Sequence, residues 1–381
     1  GIAKKEFTGS TIFEDEQTIF ADGYKPENYS NYLGKITVRR ALESSQNIPF
    51  VEMMEKIGPK TSMKYLEKMG VTTLSKNDEN LALALGGLDK GISPLQMAGA
   101  YATIANDGEF IEPTFYTKAE TSNKKTIVEV KQKKRRVFSK EVAYIVKELL
   151  TEPVKGSYGT ATYCSISGMD VAAKTGTTDD NYDRWLCGFT PYYTCAVWSG
   201  YDNNEKLPED ARNFHKNLWK KVMTRIHEGL EDRDFDMPAS VDKISVCEET
   251  GLLPRAGCPV ITEYFDIGDI PTDYCDQHFY GDDESGMQEY TTEEEIYNPE
   301  PTPDPNNPNG DNTGDNTGDN TGDNTGDNTG DNTGDNTGGN TGDNTGDNTG
   351  DTGGGDAGGG DTGGGDTGGD TGGGDAGYTE E

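Results

Sequence analysis

The alternation of apolar and polar positions predicts amphipathic helices in the first part of the chain. One helix is expected to begin at Thr37, to break across residues 43–49 and to resume up to Gly58. Another is expected over residues 93–108, where a serine and a glutamine three positions later form a capping-box signature. Apolar residues along one side of these helices indicate that they pack on a core.

Two more helices are expected further along the chain. Ser139 is the expected N-cap of the first. The second is expected over residues 208–231, where Leu218, Val222 and Ile226 recur at helical spacing. These three side chains are expected to close the core.

The segments between the helices predict antiparallel strands. A hairpin is expected over residues 113–137, with its turn at Ser-Asn-Lys-Lys-Thr. A strand is expected over residues 170–178, at the edge of a sheet, followed by a hairpin of residues 185–189 and 194–201. Helices gathered against an antiparallel sheet predict an α+β fold.

Composition changes abruptly near Asn298. From Pro299 onward the chain has no Lys, Arg or Trp, and residues 311–350 are tetrads that read Asp-Asn-Thr-Gly with one exception. Such a segment has no apolar surface to offset chain entropy, and its repeats have nothing to stack on their neighbours. We therefore expect residues 299–381 to be a disordered tail.

The net charge of −34 belongs mainly to the C-terminal part. All 34 Lys and Arg precede residue 256, whereas 31 of the 68 Asp and Glu follow it. The part that is expected to fold is therefore nearly neutral and has no nucleic-acid footprint. The sequence shows no apolar run of transmembrane length, and its N-terminus reads as an internal start, so a membrane anchor is expected upstream.

The segment Lys174-Thr175-Gly176-Thr177 lies on the predicted edge strand. An ammonium group beside two hydroxyls can receive a substrate carboxylate, and a glycine lets a ligand backbone approach closely. The alternative is a solvated lysine before a turn. Taken alone, a motif this short does not decide between the two.

Ser45 and Asn47 lie at the break between two predicted helical segments. In one interpretation both side chains point into a cleft, where the serine relays protons and the asparagine donates an amide hydrogen bond. In the other they cap helix ends, which is the commonest role of both residue types.

The order of the two motifs changes the interpretation. A Ser-x-Asn segment followed by Lys-Thr-Gly-Thr is typical of serine acyl-transfer enzymes that react with penicillin. The chain resembles the transpeptidase domain of class A penicillin-binding proteins from Gram-positive bacteria in the segments YKPENYSNYLGKITVRRALESSQNIPFV, LALGGLDKGISPLQMAGAYATIANDGEFIEP, GSYGTA and KTGTTDDNYDRWLCGFTPYYTCAVWSGYD. The resemblance covers roughly residues 10–280. It implies a penicillin-binding, β-lactamase-like fold that is incomplete at its N-terminus.

The resemblance also implies a serine nucleophile in a Ser-x-x-Lys motif ahead of the Ser-x-Asn segment. Only the segment SNKK at 122–125 has this spelling here. It follows Ser45 and lies in a predicted hairpin turn, so we reject it. We expect the nucleophile and its lysine base upstream of Gly1, together with a glycosyltransferase domain and the membrane anchor.

The mechanism implied by the resemblance is acyl transfer. The nucleophile attacks the penultimate D-Ala carbonyl of a peptidoglycan stem peptide, the terminal D-Ala leaves, and an amine of a neighbouring stem resolves the acyl-enzyme. The resemblance gives Ser45 a proton-transfer role that Lys174 tunes, and it gives Asn47 the orientation of the substrate amide. The implied substrate-binding residues are Thr175, Gly176 and Thr177, with the Thr177 amide in the oxyanion hole.

The implied partners are stem peptides ending in D-Ala-D-Ala, β-lactams, and cell-division or elongation proteins; no cofactor is implied. The implied location is the extracytoplasmic face of the bacterial membrane, in the cell wall, with membrane contact only through the upstream anchor. One alternative is a non-catalytic wall-binding or scaffolding module that keeps the fold without the chemistry. A β-lactamase fits poorly because of the cysteine-containing appendage and the long tail.

We expect three domains: a partial D,D-transpeptidase over 1–238, a cysteine-containing appendage over 239–298 and the tail over 299–381. His215 and His227 are expected on the surface of the last helix of the first domain.

Six cysteines leave their pairing open. Cys187 and Cys195 flank a turn symmetrically and are expected to face each other across a hairpin. The three cysteines of the appendage and one histidine could bind zinc. Their spacing is irregular, however, and an extracytoplasmic setting permits disulfides, so a Cys247–Cys258 bridge is favoured. The other two members of this group are Cys275 and His278.

Overall fold

The computed structural model describes residues 1–278; residues 279–381, which include the predicted tail, lie outside the described part. The helices are α1 (Val38–Ser44), α2 (Ile48–Ile57), α3 (Pro59–Lys68), α4 (Pro94–Ala105), α5 (Lys140–Lys155) and α6 (Phe214–Ile226). The strands are β1 (Ile12–Asp15), β2 (Gly34–Thr37), β3 (Glu109–Ile111), β4 (Lys118–Glu120), β5 (Thr126–Glu129), β6 (Lys134–Arg136), β7 (Ala172–Thr177), β8 (Asp183–Phe189), β9 (Thr194–Gly200), β10 (Val241–Cys247) and β11 (Val260–Asp266). None of the helices described between residues 1 and 278 has the length and apolarity that crossing a bilayer requires.

The starts of α4 and α5 follow the predicted capping signals, whereas the helix predicted over residues 208–231 is shorter than expected and spans only Phe214–Ile226. α1 begins after Thr37, whose hydroxyl accepts a hydrogen bond from the Arg40 amide at 3.1 Å. The capping box at the start of α4 is present, and the Ser139 hydroxyl accepts from the backbone at the start of α5. The predicted break over 43–49 is confirmed, because α1 and α2 are separated by three residues at this point.

A three-stranded antiparallel sheet, in the order β7-β8-β9, lies between two layers of helices. Successive strand residues point to opposite faces of a sheet. On one face, Ala173 and Leu186 pack against Trp219 of α6. On the other face, Ala172 and its register partner Phe189 pack against side chains of α5, including Ile145 and Leu149. Because this sheet is buried on both faces by helices, the predicted α+β fold is confirmed.

The prediction that Leu218, Val222 and Ile226 close the core is wrong. These side chains are between 38% and 40% exposed, whereas Trp219 and Met223 are fully buried. The buried face is therefore turned by one residue, about 100° around the helix axis. Trp219 decides the orientation, because its large ring fills the space against the sheet and its Nε1–H donates to the Cys195 carbonyl at 3.1 Å.

The same rotation overturns the prediction for the two histidines of this region. His215 is 1% exposed and His227 is 6% exposed, so both are buried. His215 lies on the face of α6 that carries Trp219 and Met223, and His227 is the C-cap residue that follows the helix. His227 is held at both ring nitrogens, with Nε2 2.7 Å from the Thr190 hydroxyl and Nδ1 2.6 Å from the Met223 carbonyl. Burial lowers the pKa of His215 to about 4.

Cys187 and Cys195 do not face each other. The register pairs Cys187 with Ala196, and Cys195 with Gly188. The turn lies where it is predicted, because Phe189 pairs with Thr194. Cys187 lies two residues before Phe189, however, and Cys195 only one residue after Thr194, so the two thiols lie on opposite faces of the sheet. All six cysteines are free in the structure, so the expected Cys247–Cys258 disulfide is absent.

The strands β10 and β11 form a separate antiparallel pair that is tied to α1 and α5 by a buried ion pair. Arg39 of α1 donates to both carboxylate oxygens of Glu263 in β11, with Nε 2.8 Å from Oε2. Its Nη1 also lies 2.7 Å from Oε1 of Glu152 in α5. The Glu263 side chain is 0% exposed, so Arg39 is the group that compensates its charge.

Candidate active site

Ser45 occupies the sharp turn between α1 and α2. Its backbone adopts a left-handed conformation, with φ 59° and ψ 42°, which is uncommon for a residue with a side chain. The amide of Gln46 then donates to the Ala41 carbonyl at 2.9 Å and closes the helix end. Ser45 ends α1 through its backbone, which leaves its hydroxyl for another partner.

That partner is Lys174 of β7. The Lys174 ammonium donates to the Ser45 hydroxyl oxygen at 2.7 Å and to the Thr175 carbonyl at 3.0 Å. The two site residues that the sequence singled out are thus in direct contact although 129 positions separate them. The contact favours the cleft interpretation of Ser45 over the capping one.

Asn47 is held in place by a chain of polar groups beneath the turn. Its backbone amide donates to Oδ1 of Asn28, and its side-chain amide donates to the Glu27 carbonyl, both at 2.7 Å. Asn28 in turn donates to Asp15, which is 0% exposed, at 2.7 Å. Asn47 precedes α2 but makes no side-chain cap bond to it. These contacts therefore fix the asparagine, and its side chain does not cap the helix.

The rest of the motif extends along β7, which has a sheet neighbour on one side only among residues 1–278. Thr175 points to the face opposite Lys174, and its hydroxyl lies 3.0 Å from the Thr160 hydroxyl. A side chain at Gly176 would lie 3.2 Å from Cβ of Trp185 on β8. Thr177 ends the strand and is exposed. The predicted edge strand is therefore confirmed.

The environment of Lys174 changes the pKa of its ammonium group. Desolvation lowers the pKa of the Lys174 ammonium from 10.5 to about 8. Near neutral pH the amine can therefore both hold and release a proton, which is what a proton-transfer group needs. When Lys174 is charged, the Ser45 oxygen accepts its hydrogen bond and the Ser45 O–H is free to donate into the cleft. When Lys174 is neutral, Nζ can accept that proton, so the pair can relay protons in either direction.

The lowered pKa of Lys174 also predicts a stability effect. Replacing Lys174 by methionine is expected to raise the free energy of unfolding at pH 7 by about 1 to 3 kcal/mol, because the variant no longer buries a charge. Between pH 8 and pH 10.5 the unfolded wild-type chain binds more protons than the folded one, so wild-type stability rises relative to the variant. Denaturant melts at pH 7 and above pH 10 check this: the advantage of Lys174→Met should shrink at the higher pH. A constant difference would contradict it.

Sequence reasoning missed three polar residues that support the site. Thr160 bonds to Thr175, and Asn28 and Asp15 hold the turn that carries Asn47. Two of them lie in segments that carry the family resemblance: Thr160 in GSYGTA and Asn28 in YKPENYSN. Nothing in the pattern marked Asp15, because a single acidic residue near a predicted turn is ordinary.

Two family models match the chain. The penicillin-binding protein transpeptidase domain matches residues 6–224, and the C-terminal domain of penicillin-binding protein 1A matches residues 237–280. The first match contains the site residues and the β7-β8-β9 sheet, and it ends within α6.

Curated relatives agree with these matches. The chain is 36% identical over 294 residues to penicillin-binding protein 1A of Clostridium botulinum (strain Hall), covering 73% of this chain and 35% of that protein. It is 37% identical over 250 residues to penicillin-binding protein 1F of Bacillus subtilis (strain 168), covering 63% of this chain and 34% of that protein. The chain thus spans about a third of the length of these relatives.

Solved structures share the fold. Penicillin-binding protein 1A from Haemophilus influenzae superimposes with a TM-score of 0.63 at 24% identity, over 72% of this chain and 47% of that one. The PonA1 protein from Mycobacterium tuberculosis, solved in complex with penicillin V, gives a TM-score of 0.51 at 24% identity, over 61% of this chain and 66% of that one. Because the transpeptidase model matches more than half of its length and curated relatives agree, the chain belongs to the penicillin-binding protein transpeptidase family.

Proposed function

We propose that this chain supplies most of the D,D-transpeptidase domain of a bifunctional cell-wall synthase, which cross-links peptidoglycan stem peptides through a serine acyl-enzyme and binds penicillin. The observation that carries the proposal is the 2.7 Å contact between Lys174 and Ser45 at the edge of β7. A half-buried, desolvated amine with a lowered pKa beside a hydroxyl is suited to proton transfer.

The proposed roles are those that the family resemblance implies. Ser45 passes a proton towards the leaving group, and Lys174 supplies or accepts that proton. Asn47 orients the substrate amide from the same turn. On β7, Thr175 and Thr177 receive the substrate carboxylate, with the backbone amide of Thr177 in the oxyanion hole. The same strand carries Gly176, which has no side chain to obstruct a substrate backbone that approaches the strand edge.

The nucleophile is proposed to be a serine of a Ser-x-x-Lys motif that lies upstream of Gly1. Ser122, which has that spelling here, is exposed in the turn between β4 and β5. Those strands form a two-stranded sheet of their own, separate from the β7-β8-β9 sheet. A nucleophile needs an adjacent base that activates it within a sheltered site, and this exposed turn does not offer one.

Fluorescent penicillin tests the proposal. A longer protein that joins this chain to its upstream sequence should form an adduct that survives denaturation and should release D-Ala from a stem-peptide mimic. The isolated chain should form no such adduct, because it lacks the nucleophile. Labelling of the isolated chain that is lost in Ser122→Ala would contradict the assignment of the nucleophile.

The alternative is a non-catalytic wall-binding or scaffolding module with the same fold. A longer protein that is neither labelled by penicillin nor active in releasing D-Ala, yet binds peptidoglycan, would favour this alternative. Under the main proposal, the protein works at the extracytoplasmic face of the membrane, anchored through its upstream part. A glycosyltransferase domain upstream and cell-division or elongation proteins as partners belong to the same proposal, as does a domain boundary near residue 238.

A further inference from the structure

Three cysteines and one histidine converge at one end of the β10–β11 pair. They are Cys247, Cys258, Cys275 and His278. The three sulfur atoms and one ring nitrogen all lie within 4.8 Å of one another. Cys247 and Cys275 are 0% exposed and the other two are half-buried, so the cluster is sheltered from solvent on one side.

Three separate segments deliver these side chains. Cys247 is the last residue of β10 and pairs with Val260 of β11. Because Cys258 precedes Val260 by only two residues, it lies close to Cys247. The third cysteine arrives through a short parallel bridge, in which the Cys275 amide donates to the Leu253 carbonyl at 2.8 Å. The backbone thus fixes the convergence of positions that are irregularly spaced in the sequence.

The histidine is oriented towards the sulfurs by a carboxylate. His278 Nε2 lies 3.1 Å from Oε2 of Glu249. The other ring nitrogen, Nδ1, lies 3.2 Å from Sγ of Cys275 and 3.5 Å from Sγ of Cys247. A carboxylate on the outer ring nitrogen is the usual companion of a metal-binding histidine, because it holds the ring and raises the basicity of the inner nitrogen.

We propose that Cys247, Cys258, Cys275 and His278 bind a structural zinc ion. Three thiolates and one imidazole are a common tetrahedral ligand set for zinc. All four positions are filled by protein side chains, so the site has no open position for a reacting water and is structural. Bound zinc would pin the end of β10, the loop after it and the Cys-x-x-His segment to a single point.

The separations fit this ion. Zinc–sulfur bonds of about 2.3 Å and a zinc–nitrogen bond of about 2.0 Å place neighbouring ligand atoms of a tetrahedron about 3.5 to 3.8 Å apart. The two nitrogen–sulfur distances, 3.2 and 3.5 Å, are near this range. The widest separation of 4.8 Å needs a movement of about 1 Å, which rotation of a side chain provides.

A disulfide explains the cluster less completely. It would join two of the three sulfurs and leave the third cysteine facing a histidine that Glu249 orients towards it. The Cys258 sulfur already accepts a hydrogen bond from the Arg255 amide at 3.2 Å, an arrangement that also favours a thiolate ligand. One zinc ion uses every group in the cluster.

The test is the metal content of the full chain, purified without chelators or added zinc. Mass spectrometry of the native protein and elemental analysis should find one zinc per chain. Cys258→Ser and His278→Ala should lose the zinc and melt at a lower temperature, whereas His278→Cys should keep it, because four thiolates also bind zinc tetrahedrally. Cobalt should replace the zinc and give the absorption bands of a tetrahedral thiolate site.

Cys195→Ser is the matched control, since this half-buried cysteine lies outside the cluster; it should keep one zinc. The proposal is overturned if the purified chain contains no zinc and its unreduced peptides show a disulfide among the three cysteines. It is equally overturned if Cys258→Ser and Cys195→Ser hold the same amount of zinc, because the metal would then bind elsewhere.

Discussion

Lys174→Ala, in a longer protein that joins this chain to its upstream sequence, is expected to slow acylation by penicillin by about a hundred- to ten-thousand-fold, the range that a positioned proton-transfer group contributes. The variant loses the ammonium group that donates to the Ser45 hydroxyl, which is the proposed proton-transfer partner. Stopped-flow measurements with a fluorescent penicillin give the second-order rate constant. In the wild type, that rate constant should change with pH around the lowered pKa of Lys174, about 8, and the variant should lack this change.

Lys155→Ala is the matched control, because the Lys155 ammonium binds Asp170 at 2.5 Å at the exposed end of α5. It should leave acylation unchanged. Lys174→Arg separates the two roles: it keeps the charge but cannot release a proton at these pH values, so it should bind penicillin and acylate slowly. Unchanged acylation in Lys174→Ala with an intact fold would show that Lys174 has no part in the chemistry.

Arg39→Ala is expected to reduce the free energy of unfolding by about 3 to 5 kcal/mol, the usual result of removing one partner of a buried ion pair. The loss is large because Glu263 is 0% exposed and would be left in the protein interior without its arginine partner. The melting temperature should fall by about 10 °C. Thermal denaturation followed by circular dichroism checks this result.

Two further variants make the measurement specific to burial. Arg212→Ala removes an exposed arginine that pairs with Glu209, and it should cost less than about 1 kcal/mol. The double variant Arg39→Met, Glu263→Leu replaces the pair by apolar side chains, and it should recover most of the stability that Arg39→Ala loses. If Arg39→Ala and Arg212→Ala lowered the free energy of unfolding equally, the buried pair would contribute no more to stability than the exposed one.

Local chemistry explains what the sequence could predict. The caps at Ser93 and Ser139 were readable because a capping side chain bonds to an amide only two or three residues away. The break that carries Ser45 was readable from the residues of the break itself. The edge position of β7 was predicted from the Lys-Thr-Gly-Thr segment on that strand. The contact between Ser45 and Lys174 could not be predicted from either motif alone. Tertiary packing brings the two segments together although 129 positions separate the residues.

The errors arose where a single large side chain or a one-residue shift decided the outcome. Three aliphatic residues at helical spacing favoured one face of α6, but the ring of Trp219 turned the helix onto the next face and buried His215 with it. Cys187 and Cys195 are offset by one residue about the predicted turn, and this offset places them on opposite faces of the sheet. The cluster around Cys275 depends on strand register and a short bridge, which irregular cysteine spacing does not encode.

The buried ion pair has a practical consequence for anyone who shortens this chain. The transpeptidase match ends at residue 224. A truncated protein designed from that match would stop before β10. Such a piece would lack Glu263, and Arg39 lies in the same short helix that ends at Ser45, about 9 Å away along the helix axis. A minimal piece for crystallisation or inhibitor screening should therefore extend through β11, because cutting earlier removes the main charge partner of the helix that presents Ser45.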